Sequence, residues 1–102
     1  MTNDELISLK LSIQRALVDE VTSRLVSVTG GLRERQIMIR AYVSGAVTEE
    51  DTERISSIGG EVIADFSEEY MIEELCLSVD EHKEEMLDFW AFRRASEAPT
   101  IS

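Results

Sequence analysis

Residues 48–66 read TEEDTERISSIGGEVIADF, and this stretch decides the fold because it predicts an amphipathic helix laid across a sheet. Its apolar residues recur at intervals of three and four and form one stripe, which consists of Ile55, Ile58, Val62, Ile63 and Phe66. Thr48, followed three residues later by Asp51, resembles a capping box and marks the start of the helix. Gly59-Gly60 costs about 1 kcal/mol per residue against alanine, which predicts a close approach to a strand or a kink.

The segments on either side alternate between helix and strand patterns. A first helix is predicted from a cap at Asn3 to about Val18, because its leucines and Ile13 repeat at helical spacing. Period-two and β-branched patterns predict four strands, over 25–29, 36–43, 70–79 and 87–93. Gly30-Gly31 is predicted to open the turn between the first two strands.

The order of these elements, αββαββ, predicts an α+β fold with the architecture of a two-layer α/β sandwich. Short loops within each strand pair favour two antiparallel hairpins, hence a four-stranded, mainly antiparallel sheet with both helices on one face. We expect one domain over residues 1–95 and a flexible C-terminal tail over residues 96–102.

Alternation assigns the faces of the strands. Ile37, Ile39, Ala41 and Val43 share one parity and are predicted to be buried. In the third strand the same argument predicts a buried face, interrupted by Glu73 and made of Met71, Leu75, Leu77 and Val79. Parity leaves open whether Phe89 and Ala91 or Trp90 and Phe92 point inward. With both helices on one face, the other face is open and is a candidate interface, formed by Met38, Arg40, Tyr42, Trp90 and Phe92.

Charge is distributed unevenly along the chain. The net charge is −11, and from Thr48 onward sixteen acidic residues face four basic ones, a net of −12, so the preceding part carries +1. An acidic field repels phosphate backbones and anionic lipids, which argues against direct nucleic-acid or membrane binding. The favoured partner is a basic protein.

No recognisable catalytic or metal-binding constellation occurs in the sequence. Cys76 lies in an apolar strand pattern, which is typical of a buried structural thiol. His82 stands among carboxylates in a short charged loop, where a solvated acidic loop is a better interpretation than a metal site. Glu73 and Glu74 are adjacent in a strand, so they point to opposite faces and cannot share a proton. We therefore expect no enzyme activity, no cofactor and no metal, and the lack of a basic leader or long apolar run predicts a cytoplasmic location.

Four short motifs carry a family resemblance: ALVDEVT at 16–22, RAYVSG at 40–45, EVIADF at 61–66 and WAFRR at 90–94. From about Leu11 to Ala95 the chain resembles a group of small acidic bacterial α+β proteins. Some of these resemble immunity proteins encoded beside toxins of contact-dependent inhibition or related polymorphic toxin systems. Ser23 stands where the group usually has proline, so the loop geometry is not carried over. The resemblance implies binding of a toxin and brings no catalytic residue with it.

These observations support two hypotheses. In the first, the protein is an immunity protein that neutralises a basic toxin, such as a nuclease, through an acidic surface. The carboxylates expected to bind the partner are Glu68, Glu69, Glu73, Asp80, Glu81, Glu84, Glu85 and Asp88, predicted to gather at one end and edge of the sheet. In the second, a structural or regulatory domain forms homo-oligomers through the open face of the sheet.

Overall fold

The computed structural model describes residues 3–95, and it has the predicted α+β order. The elements are α1 (Asn3–Ala16), β1 (Leu25–Arg33), β2 (Gln36–Val43), α2 (Glu49–Ala64), β3 (Met71–Ser78) and β4 (Phe89–Arg93). Both helices cover the same face of one four-stranded sheet, with α1 on β1 and β4 and α2 mainly on β3. The predicted tail at 96–102 lies outside the described residues.

The predicted capping box starts α2. The Asp51 amide donates to the Thr48 hydroxyl at 3.1 Å, and the Thr48 amide donates to the Asp51 carboxylate at 2.9 Å. The same carboxylate, only 6% exposed, accepts hydrogen bonds from Nε and Nη2 of Arg24, with the Nη2 contact at 2.8 Å. This ion pair joins the start of α2 to the segment that leads into β1, and it lowers the pKa of Asp51 to about 2.

The strand order is β3-β2-β1-β4, with β2 and β3 parallel and the other neighbours antiparallel. The predicted hairpin of β1 and β2 is confirmed, but a second hairpin of β3 and β4 is wrong. Because α2 crosses over the sheet, β3 returns parallel to β2 at one edge, and β4 pairs with β1 at the other. The chain must therefore cross the sheet between β3 and β4.

The predicted turn at Gly30-Gly31 is also wrong, because β1 continues through both glycines to Arg33. A Cβ at Gly30 would lie 2.6 Å from Cδ1 of Ile13 in α1, and one at Gly31 would lie 2.8 Å from a carboxylate oxygen of Asp88. Because they have no side chains, the two glycines let α1 approach β1 from one face and the segment at Asp88 approach it from the other. The chain reverses instead at residues 34–35, where Glu34 takes a positive φ of 57°.

The buried face of β3 is opposite to the one predicted. Ile72, Glu74 and Cys76 pair with Ile37, Ile39 and Ala41, which are the buried residues of β2, so they point towards the helices. Met71 is 67% exposed and Leu75 45% exposed on the other face, where the predicted core residue Leu77 also lies, half-buried. Alternation predicts the wrong face of β3 because both sides of this edge strand carry apolar residues.

A register irregularity decides the faces of β4. Phe92 pairs with Val28 and Trp90 with Thr29, so the intervening Ala91 is an extra residue on β4. Phe89 and Phe92 both pack against the core under the helices, while Trp90 lies on the opposite face. This bulge is why simple parity could not settle the orientation of the strand.

Candidate functional site

The segment 79–88 crosses the sheet on the face opposite the helices. We call this segment the crossing segment and this face of the sheet the outer face. The strands present the following residues on the outer face: Ser27, Thr29, Met38, Arg40, Tyr42, Glu73, Leu75 and Trp90. The Leu87 amide donates to the Thr29 hydroxyl at 2.8 Å, and that hydroxyl donates to the Phe89 carbonyl at 2.6 Å. The Glu85 amide donates to the Tyr42 hydroxyl at 3.0 Å. These contacts bury polar side chains of β1 and β2 beneath an acidic segment.

The face expected to be open is therefore only partly open. Tyr42 is 1% exposed beneath the crossing segment, so its predicted exposure is wrong. Phe92 is wrongly assigned to this face, since it packs on the helix side. Met38, Arg40 and Trp90 do lie on the outer face, half-buried, and the Arg93 guanidinium stacks 4.5 Å from the centre of the Trp90 ring. What remains uncovered is mainly the half formed by β2 and β3.

Three of the eight predicted partner-binding carboxylates have partners within the fold. Asp88, whose side chain is 16% exposed, accepts hydrogen bonds from the Leu32 amide at 2.8 Å and the Arg33 guanidinium at 2.7 Å. Glu84 accepts a hydrogen bond from the buried Ser27 hydroxyl at 2.6 Å, and a third carboxylate, Glu69, forms an exposed ion pair with Arg35 at 2.8 Å. Asp88 and Glu84 hold the crossing segment on the sheet.

The other five carboxylates are exposed, and within residues 3–95 their side chains have no hydrogen-bond or ion-pair partner; they are Glu68, Glu73, Asp80, Glu81 and Glu85. Glu68 precedes β3, whereas Asp80 follows it, so these two are separated by a strand of 8 residues, about 25 Å long. The predicted gathering at one end of the sheet is therefore wrong. The carboxylates instead extend along β3, with Glu73 on its outer face, and onto the crossing segment.

Glu74 is a candidate functional residue that the sequence analysis missed. Its side chain points towards α2 and lies against Gly59, where a Cβ would overlap the carboxylate, so Gly59 provides the predicted close approach to a strand. Burial raises the pKa of Glu74 above its ordinary value. Glu74 lies in a cleft of about 340 Å³ between α2 and β3, lined also by Thr52, Ile55, Ser56, Leu75 and Cys76. The feature that marks Glu74 is an inward-facing glutamate opposite a helix glycine. It can be recognised only once the register of β3 against β2 is known.

His82 and Cys76 are the remaining residues that the sequence analysis considered for chemistry. His82 is exposed, and no three potential metal ligands come together among residues 3–95. Burial raises the pKa of the Cys76 thiol to about 11, so it is protonated near neutral pH and is a poor nucleophile. Within the same described range, no helix is long and apolar enough to span a membrane.

Comparison with known proteins identifies the family. No curated protein matches the chain. A family model described as MafI2 immunity protein, however, matches residues 7–96, which include five of the six elements in full and most of α1. The resemblance to immunity proteins of polymorphic toxin systems is therefore confirmed. Such proteins act by binding a cognate toxin and are generally non-catalytic. On this evidence, the chain belongs to the MafI2 immunity protein family.

Proposed function

We propose that this protein neutralises a basic toxin, with a nuclease as the favoured class, by covering its cationic surface with carboxylates. The observation that carries the proposal is the set of exposed carboxylates, unpaired within residues 3–95, along β3 and the crossing segment. A nuclease binds phosphates through cationic groups, which such a row of carboxylates complements. Blocking a site in this way needs no chemistry from the inhibitor. An inhibitor of a nuclease of this kind acts in the cytoplasm, where the nucleic acid is.

The crossing segment holds part of this surface in place before binding. Its backbone is fixed by Thr29 and Tyr42, while Glu81 and Glu85 point into solvent. Pre-ordered groups lose little conformational entropy on association, so more of their interaction energy is available for affinity. Exposed rim charges contribute mainly to the association rate, since they attract the partner over long distances.

The first experiment asks whether a complex forms. Co-expression with the cognate toxin should restore the growth of cells that the toxin inhibits, and the two proteins should elute together in gel filtration. Failure of the wild-type protein both to protect cells and to form a complex would refute the proposed function.

The second experiment tests the acidic surface with matched charge reversals. Glu81→Lys with Glu85→Lys should slow association by on the order of tenfold at low salt, and the effect should shrink as the Debye length falls towards about 8 Å. The control, Glu53→Lys with Glu61→Lys, changes the net charge equally at exposed positions of α2 on the helix side. If both pairs slowed association equally, net charge alone would explain the rate, and the proposed surface would be wrong.

A further inference from the structure

The outer edge of β3 is an open strand edge, and its charged residues are two adjacent glutamates, Glu73 and Glu74. β3 is the last strand of the sheet on its side, and within residues 3–95 no strand pairs with its other edge. It has 8 residues with a regular register to β2, and it contains no proline, lysine or bulge. Prolines, lysines, bulges and inward-pointing charges protect exposed edges, because an open edge pairs readily with another chain. On β3 this protection comes from the carboxylates of Glu73 and Glu74, which repel an acidic strand and attract a basic one. The opposite edge strand, β4, is shorter, with 5 residues, and it carries a bulge.

The hydrogen-bonding pattern shows which groups are free at this edge. The Met71 amide donates to the Arg35 carbonyl and the Val79 amide to the Val43 carbonyl, both at 2.9 Å. Residues of odd number therefore direct their amides towards β2, and alternation directs those of Ile72, Glu74 and Cys76 away from the sheet. An added strand would find three N–H groups and their carbonyls spaced two residues apart.

The side chains beside the edge define two different surfaces. On the outer face, Met71 and Leu75 are exposed apolar side chains on either side of Glu73. On the helix side, the cleft contains the Glu74 carboxylate, which has no side-chain partner within residues 3–95, and the hydroxyl-bearing residues Thr52 and Ser56. A half-buried carboxylate without a partner is costly, and a cation placed beside it would remove that cost. Burial of Glu74 raises its pKa above the ordinary value, because it disfavours the charged form.

We propose that the toxin adds an extended segment to the free edge of β3 and inserts a lysine or arginine side chain into the cleft beside Glu74. This inference rests on the proposed function, because it identifies the part of the surface that the toxin occupies. Side chains of an added strand alternate between the two faces, so the inserted segment has an apolar residue over Met71 or Leu75 and a basic residue next in sequence.

The charge of the edge favours a basic partner over a second copy of this chain. A second copy would bring Glu73 and Glu74 of its own strand, within a chain of net charge −11, against the same two residues. Like charges facing each other across a strand pair are destabilising, whereas a basic segment neutralises them.

Amide hydrogen exchange measured by NMR tests the proposal on the wild-type protein. In the free protein the amides of Ile72, Glu74 and Cys76 should exchange faster than those of Glu73 and Leu75, which are bonded to β2. In the complex with the toxin the first three should slow by at least tenfold. A complex that forms but leaves their exchange unchanged would overturn the strand-addition proposal while leaving the proposed function standing.

Glu74→Gln tests the cleft, because it keeps the size of the side chain and removes its charge. We expect the dissociation constant for the toxin to rise on the order of tenfold, which is less than the roughly thirtyfold or more for a fully buried charge pair because Glu74 is only half-buried. The control is Glu53→Gln, which removes an exposed carboxylate from α2 and should change the constant less than twofold. Equal affinity of Glu74→Gln and wild type, in a complex that forms, would overturn the insertion of a basic side chain. Absence of any wild-type complex would instead refute the proposed function itself.

Discussion

The ion pair between Arg24 and Asp51 is expected to make the stability of the protein depend on acid pH. Asp51→Asn is the informative change, because its side-chain oxygen can still accept the hydrogen bond from the Thr48 amide, while its charge is lost. The hydrogen bonds from Arg24 are the largest cause of the low pKa of Asp51, about 2 against an ordinary value of 3.8. At about 1.36 kcal/mol per pH unit, this difference corresponds to about 2 kcal/mol.

The side chain of Arg24 is 37% exposed, so solvent screening reduces this contribution to about 1–2 kcal/mol. The folded pKa lies below the unfolded one, so the unfolded chain takes up the proton first as pH falls. The contribution is therefore complete above about pH 5 and is lost as the pH falls towards about 2.

Urea unfolding of wild type and Asp51→Asn over a pH series measures this contribution directly, because the difference between the two proteins cancels the other carboxylates. The variant should be less stable by about 1–2 kcal/mol at pH 7, and the gap should close as the pH approaches 2. A gap that stays constant between pH 7 and pH 2.5, or no gap at pH 7, would refute the reasoning.

Three further predictions concern the outer face and the cleft. Gly59→Ala should displace the Glu74 carboxylate and weaken toxin binding by roughly threefold to tenfold. The melting temperature should not fall, because alanine favours the helix by about 1 kcal/mol. Unchanged toxin binding would contradict this prediction. Thr29→Val should cost about 1–3 kcal/mol in urea unfolding, since the partly buried Leu87 amide loses its acceptor. Wild-type stability would show that this hydrogen bond does not hold the crossing segment. Cys76 should react with iodoacetamide at neutral pH more slowly than a free thiol, because burial raises its pKa to about 11. Denaturant should remove this difference in rate. Fast labelling of the folded protein would contradict the burial of Cys76.

The two partly exposed surfaces expected from the sequence turn out to be physically connected. In the sequence the acidic loop and the open sheet face are separate candidate interfaces, yet the crossing segment lies on that face and is hydrogen-bonded to Thr29 and Tyr42. Carboxylates that looked equivalent in the sequence therefore differ in role. Asp88 and Glu84 anchor the segment, while Glu81 and Glu85 remain available to a partner.

Local patterns determined much of this protein. The capping box at Thr48 and the alternation of β2 depend on nearby residues, and both predictions are confirmed. The predicted stripe of α2 is confirmed for Ile55, Ile58 and Val62, which are buried, and Ile63 is partly buried. Because the helix ends at Ala64, Phe66 packs against the core from beyond it. The family resemblance was also readable from short motifs, since the family model covers nearly the same range.

Tertiary structure alone decided the features that depend on contacts between distant residues. Gly30-Gly31 has the composition of a turn, yet it lies within β1 because α1 and the crossing segment approach it from opposite faces. Glu74 became a candidate site only through the register of β3 against β2 and the approach of Gly59. Strand order determines both results, because it forces the chain to cross the outer face and leaves β3 at the edge of the sheet. Local sequence patterns do not specify which strands become neighbours, since strand pairing depends on residues far apart in the chain.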